Sequence, residues 1–238
     1  MGTDFKVIMV FMTGYYTEKL SGRRLQRCYE VAPPRVQQYL EAEILHAVSR
    51  LHPTDTVLEL GCGYGRIARR LAHVAQHVIG VDTASESIAL AQQLREPGYH
   101  CDYLLMDALA LAFTANAFDA VLCLQNGICA FGIDQESLLR EALRVTRDGG
   151  TLLCSTYADR FWDHRLAWFE AQAAAEMVGG IDYAASGNGV IVCQDGFRAG
   201  RLTPQECRSL CSRFGLDPKI TEVDESSVFC EIVRPSFK

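Results

Sequence analysis

Apolar positions along this chain form two kinds of pattern, short continuous runs and runs that repeat with a helical period. Each of five continuous runs predicts a strand buried on both faces, and the periodic segments between them predict helices. The predicted strands are residues 56–60, 77–82, 102–106, 118–124 and 151–156. The predicted helices are residues 64–75, 85–95 and 135–146. This alternation of strand and helix predicts an α/β fold with a doubly wound, mostly parallel sheet.

The chain before the first strand has the pattern of a helical segment with one break. Apolar positions from Val36 to Val48 follow a helical period, and the pair Pro33–Pro34 marks a turn. We therefore predict an N-terminal helical cap over residues 1–50. The apolar run at 7–12 is too short to cross a bilayer, and it lacks a small-residue cleavage site. Neither a membrane association nor a secretory signal is therefore expected.

The pattern loosens after the fifth predicted strand. Residues 159–200 carry an alanine-rich helix followed by closely spaced glycines, which predicts an insertion. Residues 203–206 then place Thr, Pro and an acid in the capping positions of a new helix. The last apolar runs, 216–223 and 228–233, predict a hairpin-like pair of strands. This pair includes the antiparallel strand that completes a seven-stranded sheet. Residues 51–238 are thus expected to form one domain that contains the insertion.

Glycines follow the first predicted strand at every second position. Glu59 lies near the end of that strand, and Gly61, Gly63 and Gly65 come directly before helical residues. A strand, a glycine turn and a helix start are where an α/β sheet holds a nucleotide-like ligand, since glycine lets the backbone turn sharply and approach the ligand. The dinucleotide fingerprint G-x-G-x-x-G would need glycine where Arg66 stands. This departure, with the lack of a second nucleotide-binding half, disfavours a dehydrogenase.

Several positions in register with this turn resemble the class I S-adenosylmethionine-dependent methyltransferases. Glu59 and the glycines resemble motif I of that family, and Asp82 and Asp107 follow the second and third strands as its acids do. The fourth strand and the glycine turn into the fifth are also similar, and the helix at 203–206 resembles the small-molecule branch (methyltransferase type 11/25). The resemblance covers roughly residues 50–235. It implies a Rossmann-like fold and the transfer of a methyl group to a small-molecule acceptor.

The resemblance implies S-adenosylmethionine as the methyl donor and S-adenosylhomocysteine as the product. The glycines would pass beneath the methionyl and ribose parts, and Asp82 would accept hydrogen bonds from the ribose hydroxyls. Asp107 and the Ala108 amide would bind adenine, while Glu59 would orient the turn or meet the ligand ammonium through water. The alternatives are a helix cap for Asp82 and an ordinary turn for Asp107. The expected cofactor-binding residues are Glu59, Gly61, Cys62, Gly63, Gly65, Asp82, Thr83, Asp107, Ala108 and Gln125.

Residues that would contact the acceptor lie outside the common core. Methyl transfer from a sulfonium is an in-line displacement on an activated donor, so the main task of the protein is orientation. A base for the acceptor proton is the further help that a side chain can give, and the candidates are Tyr16, Asn126 and His164. His164 has a structural interpretation as well, and Trp162 and Trp168 are expected at the core and rim. The expected acceptor contacts are Tyr15, Tyr16, Arg23, Arg27, Tyr29, Asn126, Tyr157 and Trp162.

The residues after the fourth strand narrow the class of acceptor. Residues 124–127 read L-Q-N-G, where enzymes that methylate base amino groups would carry an N-P-P-Y-like segment, and no Pro-Cys nucleophile stands there. No grouping of histidines and carboxylates indicates a magnesium-dependent enzyme, and no metal is expected. A small-molecule acceptor is predicted. Two alternatives stay open: a protein or RNA methyltransferase with an open basic cleft, and a non-catalytic S-adenosylmethionine-binding protein without an acceptor-sized pocket.

Charge and cysteine content refine this interpretation. The net charge of −6 provides no global basic field, and no nucleic-acid partner is expected. The ten cysteines include no C-x-x-C pair, and Cys207 and Cys211, one helical turn apart, have no matching second pair. We expect a reduced, cytoplasmic protein without disulfides, either a monomer or a homodimer. The alternative is that three or more thiols meet in space and bind a soft metalloid.

Overall fold

The computed structural model describes residues 14–236, so the apolar run at 7–12 lies outside the described residues. The helices are α1 Tyr15–Lys19, α2 Gly22–Glu30, α3 Pro34–Val48, α4 Arg66–Leu71, α5 Ser85–Gln93, α6 Gly127–Ala130, α7 Gln135–Val145, α8 Trp162–Ala174 and α9 Pro204–Ser212. The strands are β1 Thr56–Leu60, β2 His77–Asp82, β3 Cys101–Leu105, β4 Phe118–Cys123, β5 Thr146–Tyr157, β6 Ile191–Val192, β7 Arg198–Ala199, β8 Lys219–Val223 and β9 Ser227–Val233. None of these helices combines the length and apolar character that crossing a bilayer requires.

Seven of the strands form one sheet in the order β3-β2-β1-β4-β5-β9-β8. Strands β1 to β5 run parallel, and β9 is antiparallel to both of its neighbours. The predicted Rossmann-like, mostly parallel seven-stranded sheet is confirmed, including its antiparallel end. The strand order reverses at β1 and β4, so the carboxyl ends of these two strands border the crevice where such sheets bind ligands.

Strand β1 has buried apolar side chains on both of its faces because helices cover both faces of the sheet. Val57 faces a cluster that includes Leu71 of α4, and Leu58 faces a cluster that includes Leu139 of α7. Each of these four side chains is at most 2% exposed. Burying one such side chain contributes about 1.5–3 kcal/mol, so both layers of helices hold the crevice in place.

Helix α2 lies against α5, at the carboxyl end of the sheet. The Ser21 hydroxyl donates to Oε2 of Glu86 at 3.0 Å, and the Gly22 amide donates to the hydroxyl of Ser87 at 3.0 Å. Both acceptors lie in the helix that follows β2, so the N-terminal helices are fixed to the element beside the predicted donor site.

The segment after β5 forms helix α8 and a small separate sheet in which β6 and β7 pair antiparallel. The rings of Tyr15 and Tyr16 pack edge-on against Phe197, with centroid distances of 4.7 and 5.8 Å. The N-terminal helices and this segment therefore meet, and together they form a wall opposite the sheet.

Three predicted boundaries differ from the structure by more than two residues. Strand β5 begins at Thr146 rather than 151, so the glycine turn at 148–150 continues the strand. It does so because Gly149 donates to the Arg234 carbonyl and Arg234 donates to the Gly150 carbonyl, which extends the ladder toward the C-terminus. The first helix after the glycine turn ends at Leu71 rather than at 75. The strand predicted to start at 216 begins at Lys219.

A disulfide joins Cys207 of α9 to Cys230 of β9, which corrects the expectation of a protein without disulfides. The third sulfur, that of Cys211, lies 4.0 Å from that of Cys230, and all three sulfur atoms lie within 4.8 Å of one another. The spacing along the chain gives no sign of this cluster, because Cys207 and Cys211 lie on α9 and Cys230 lies on β9 beneath that helix. Three cysteine sulfurs therefore meet in space, as the metalloid-binding alternative required, but two of them are joined in the disulfide.

Candidate functional site

The glycine turn after β1 adopts a backbone that suits glycine alone. Gly61 has φ = 70°, and its amide and that of Cys62 donate to the Val81 carbonyl at 2.8 and 3.0 Å. A Cβ at position 61 would overlap the ring of Phe131, which packs directly on the turn. Positive φ and close packing together explain why this position carries no side chain.

Asp82, at the end of β2, links the glycine turn to the start of α5. Its Oδ2 accepts from the Gly63 amide at 2.9 Å, and its Oδ1 accepts from the Ala84 amide at 2.8 Å. The helix-cap interpretation is therefore part of its role. Burial raises the pKa of Asp82, and backbone amides counter this shift. A carboxylate offers about four lone-pair positions, so acceptor capacity remains on the side that faces the crevice.

A cavity, here called the main cavity, extends from the glycine turn to a group of aromatic side chains. Nine of the ten predicted cofactor-binding residues line it. They are Glu59, Gly61, Cys62, Gly63, Asp82, Thr83, Asp107, Ala108 and Gln125. Gly65 is not among them, because it lies behind the turn, where a Cβ would meet the Tyr103 hydroxyl at 2.6 Å. The structure thus brings the predicted donor-binding residues together at one end of the cavity.

The other end of the main cavity has an aromatic wall. Four predicted acceptor contacts lie on it: Tyr15, Tyr16, Tyr29 and Tyr157. Trp168 lines it as well, and its indole nitrogen donates to the Cys28 carbonyl at 2.8 Å. The Tyr29 ring lies 5.8 Å from that of Trp168, so α2 and α8 face each other across this end.

Several predicted acceptor residues do not line the main cavity. Arg23 and Arg27 are exposed and contact Gln26 and Glu30 of their own helix. His164 is exposed on α8. The remaining two are Trp162, which lines a separate cavity, and Asn126, which is 2% exposed and bonds to Thr156 and Gly200.

Several residues that line the main cavity were not predicted from the sequence, and Arg66 is one of them. Arg66 donates to Oε1 of Gln125 at 2.7 Å and lies 4.6 Å from the centroid of the Tyr29 ring. It occupies the position that departs from the dinucleotide fingerprint, which was the one available signal. Phe131 and Gln172 also line the cavity, and nothing in their sequence context indicated it.

Two buried carboxyl groups lie near Arg66. Glu59 is 3% exposed, its Oε2 has no hydrogen-bond partner, and burial raises its pKa to about 8. Glu43 is fully buried, and its Oε1 accepts from the Ser155 hydroxyl at 2.5 Å. Burial also raises the pKa of Glu43. Only Glu59 of this pair lines the main cavity, so it is the carboxyl group that a ligand would meet.

Replacing Glu59 with glutamine should change how stability depends on pH. Because the folded-state pKa is about 8 and the ordinary value is 4.5, the folded protein binds more protons than the unfolded chain between these pH values. This residue therefore lowers the free energy of unfolding as pH rises through that window. We expect the variant to gain stability over the parent by about 2 kcal/mol between pH 6 and pH 8. Urea unfolding at several pH values measures it, and a difference that is independent of pH would contradict the assignment.

Comparison with known proteins gives the family of the central segment. A family model described as "Methyltransferase domain" matches residues 57–150, from β1 into β5. The match is confined to this central segment of the chain. The resemblance drawn from the glycine turn and the two acids is thereby confirmed. The matched segment contains the predicted donor-binding residues of the main cavity, whereas the residues of the aromatic wall lie largely outside this segment.

Two curated relatives extend the methyltransferase comparison. The 2-methyl-6-phytyl-1,4-hydroquinone methyltransferase of Synechocystis is 29% identical over 137 residues, which are 54% of this chain and 42% of the relative. The ubiquinone biosynthesis O-methyltransferase of Cereibacter sphaeroides is 29% identical over 124 residues, which are 51% and 49% of the two chains. This chain thus spans less than half the length of either relative.

A solved structure covers more of the chain. The magnesium protoporphyrin IX methyltransferase of Synechocystis with bound S-adenosylhomocysteine aligns with a TM-score of 0.59 at 17% identity. The alignment covers 90% of this chain and 96% of the other. At this identity the likeness establishes the fold, and it extends the methyltransferase fold beyond the segment that the family model matches.

Proposed function

We propose that this protein transfers a methyl group from S-adenosylmethionine to a small-molecule acceptor. The observation that carries the proposal is the continuity of the main cavity, which joins the glycine turn, Asp82 and Asp107 to the aromatic wall. The relatives named for a phytylhydroquinone and for ubiquinone biosynthesis support an organic acceptor of this kind.

The residues at the donor end fit an adenosyl sulfonium. The buried Oε2 of Glu59 has no partner among the described residues, which suits a ligand that brings a cationic group. A Cβ at Gly63 would lie 2.9 Å from Leu25 of α2, so the absence of a side chain lets α2 pack closely over the turn at the edge of the cavity. Asp82 and Asp107 supply carboxylates for hydroxyl and amino donors.

When bound, S-adenosylmethionine supplies a methyl group already activated on sulfur. The chain then contributes orientation, because Asp82 and the glycine turn fix one partner and the aromatic wall fixes the other. Burial raises the pKa of Tyr16, Tyr29 and Tyr157, so these phenols stay neutral at physiological pH. They donate and accept hydrogen bonds rather than remove a proton, and no histidine lines the main cavity within residues 14–236. Positioning is therefore the main catalytic contribution.

The lining of the main cavity favours a small acceptor over protein or RNA. Within the described chain, Arg66 is the one basic residue that lines it, and its guanidinium already contacts Gln125 and Tyr29. An open basic cleft, which a nucleic-acid substrate requires, is not what these side chains form.

Calorimetry with S-adenosylhomocysteine and a transfer assay test the proposal. We expect saturable one-site binding, and a gain of one labelled methyl group by members of a panel of hydroquinones, phenols and carboxylic acids. Failure of S-adenosylhomocysteine to bind, or binding of a pyridine dinucleotide instead, would refute the proposal. Labelling of protein or RNA without any small acceptor would favour the macromolecular alternative.

A further inference from the structure

Arg165 of α8 is a buried arginine without an acidic partner among residues 14–236. It is 1% exposed, and its terminal nitrogens donate only to the carbonyls of Gly189, Ala199 and Gly200, at 2.9, 2.5 and 2.9 Å. The Nε–H group has no acceptor at all. The guanidinium is thus held rigidly while its charge stays uncompensated.

A second cavity, here called the Arg165 cavity, opens beside this side chain. It encloses about 240 Å³, which is room for an organic group rather than a single water molecule. Its lining includes Tyr157, Trp162, Arg165, Asn188, Gly189 and Arg201. Arg201 pairs with Asp159 at the rim, so two arginines and one aspartate leave one positive charge in the lining.

The unpaired charge of Arg165 is costly unless a ligand compensates it. Burial of an unpaired ion is strongly unfavourable, and burial lowers the pKa of this guanidinium. A neutral side chain such as that of glutamine could donate to the same backbone carbonyls without the cost of burying a charge. A monoanion in the cavity would supply both the missing acceptor for Nε and the missing charge, and a carboxylate matches the planar guanidinium in both respects.

The Arg165 cavity adjoins the main cavity through one shared side chain. Tyr157 lines both, and the Arg165 guanidinium lies 4.2 Å from the centroid of its ring. The ring of Phe169, which also lines the main cavity, lies 6.0 Å from the same guanidinium. The Arg165 guanidinium therefore lies directly behind the Tyr157 ring of the aromatic wall.

We propose that Arg165 binds the carboxylate of the methyl acceptor, which makes a small carboxylic acid with an apolar body the substrate class. This inference rests on the proposed methyl transfer. The carboxylate neutralises the guanidinium, accepts from Nε, and fixes the acceptor body beside Tyr157 with its other end toward the donor.

Both tryptophans of the chain report on these cavities, since Trp162 lines the Arg165 cavity and Trp168 lines the main one. Tryptophan fluorescence is titrated with benzoate and 3-phenylpropionate, and with the matched neutral amides, in the presence and absence of S-adenosylhomocysteine. We expect the carboxylates to bind at least about tenfold more tightly than the amides. Inorganic phosphate is the third arm and should bind more weakly than the carboxylates.

Arg165→Gln should weaken carboxylate binding at least about tenfold and leave amide binding unchanged. Arg160→Gln is the matched control, because Arg160 is exposed and pairs with Glu222 and Glu225 on the outer surface. Arg201→Gln should produce a smaller loss, and it serves as the second variant if Arg165→Gln does not fold. Circular dichroism checks folding in each case.

Three results would overturn the inference about Arg165. The first is that carboxylates and amides bind equally well, or that neither binds. The second is that Arg165→Gln, or Arg201→Gln where Arg165→Gln does not fold, binds carboxylates as tightly as the parent. The third is that phosphate binds more tightly than the carboxylates. Binding of S-adenosylhomocysteine is measured separately by calorimetry. If that ligand binds while the carboxylates do not, the substrate class is wrong and the methyl-transfer proposal stands. If that ligand does not bind, the methyl-transfer proposal itself fails.

Discussion

Asp82→Ala should weaken the binding of S-adenosylhomocysteine at least about a hundredfold. A carboxylate that accepts from two ribose hydroxyls makes two charge-assisted hydrogen bonds, each worth about 1.5–3 kcal/mol. The same carboxylate supports the Gly63 amide and caps α5, so its removal also loosens the turn. Calorimetry with the parent and the variant measures the loss directly.

Two further measurements separate ribose binding from support of the turn. Adenosine and 2′,3′-dideoxyadenosine differ only in the hydroxyl groups, and we expect the parent to prefer adenosine and Asp82→Asn to lose most of that preference. Asp102→Asn is the matched control, since Asp102 is on the neighbouring strand, pairs with His77 and lines neither cavity. If Asp82→Asn keeps the parent's preference, Asp82 is a structural cap and the ribose assignment is wrong.

Gly61→Ala should lower the free energy of unfolding by about 3 kcal/mol. Roughly 1–2 kcal/mol comes from placing a Cβ on a left-handed backbone, and the remainder from its overlap with Phe131. A loss of this size lowers the melting temperature of a chain of this length by roughly 10 °C. Thermal unfolding followed by circular dichroism measures it.

Gly132→Ala provides the matched control for Gly61→Ala. Gly132 also has a positive φ, 67°, but a Cβ there would meet no atom within 4 Å. It should therefore show the backbone cost alone, about 1 kcal/mol. In a Phe131→Ala background the cost of Gly61→Ala should fall toward that value. Equal losses for Gly61→Ala and Gly132→Ala would show that packing against Phe131 contributes nothing.

The donor end of the main cavity was predictable because its signals are local in the sequence. Glu59, Asp82 and Asp107 each follow from the end of a buried strand, and parallel strands bring their carboxyl ends to one edge of the sheet. Gln125 was predicted by the same rule, because it follows the end of β4. The fold was predictable for the same reason, since buried parallel strands leave continuous apolar runs.

The acceptor end was less predictable because it depends on how distant segments meet. Asn126 follows β4 as the donor residues follow their strands, but its side chain bonds to Thr156 and Gly200 outside the main cavity. His164 and Arg165 are neighbours on α8, where adjacent residues point in directions about 100° apart, and only the second is buried. A charged residue on a helix is normally expected in solvent, so nothing local indicated the burial of Arg165 by the segment at 187–201.

The aromatic wall and the glycine turn belong to separate stretches of chain, and this division has an evolutionary consequence. Under the proposed function, substitutions in α2, α8 or the segment that carries Phe197 would alter the acceptor compartment while the glycine turn keeps its own contacts. New specificities could then arise by drift in the flanking helices without loss of donor affinity. Substitutions at Gly61 or Asp82 would have no such freedom, because both would act on the donor that every acceptor shares.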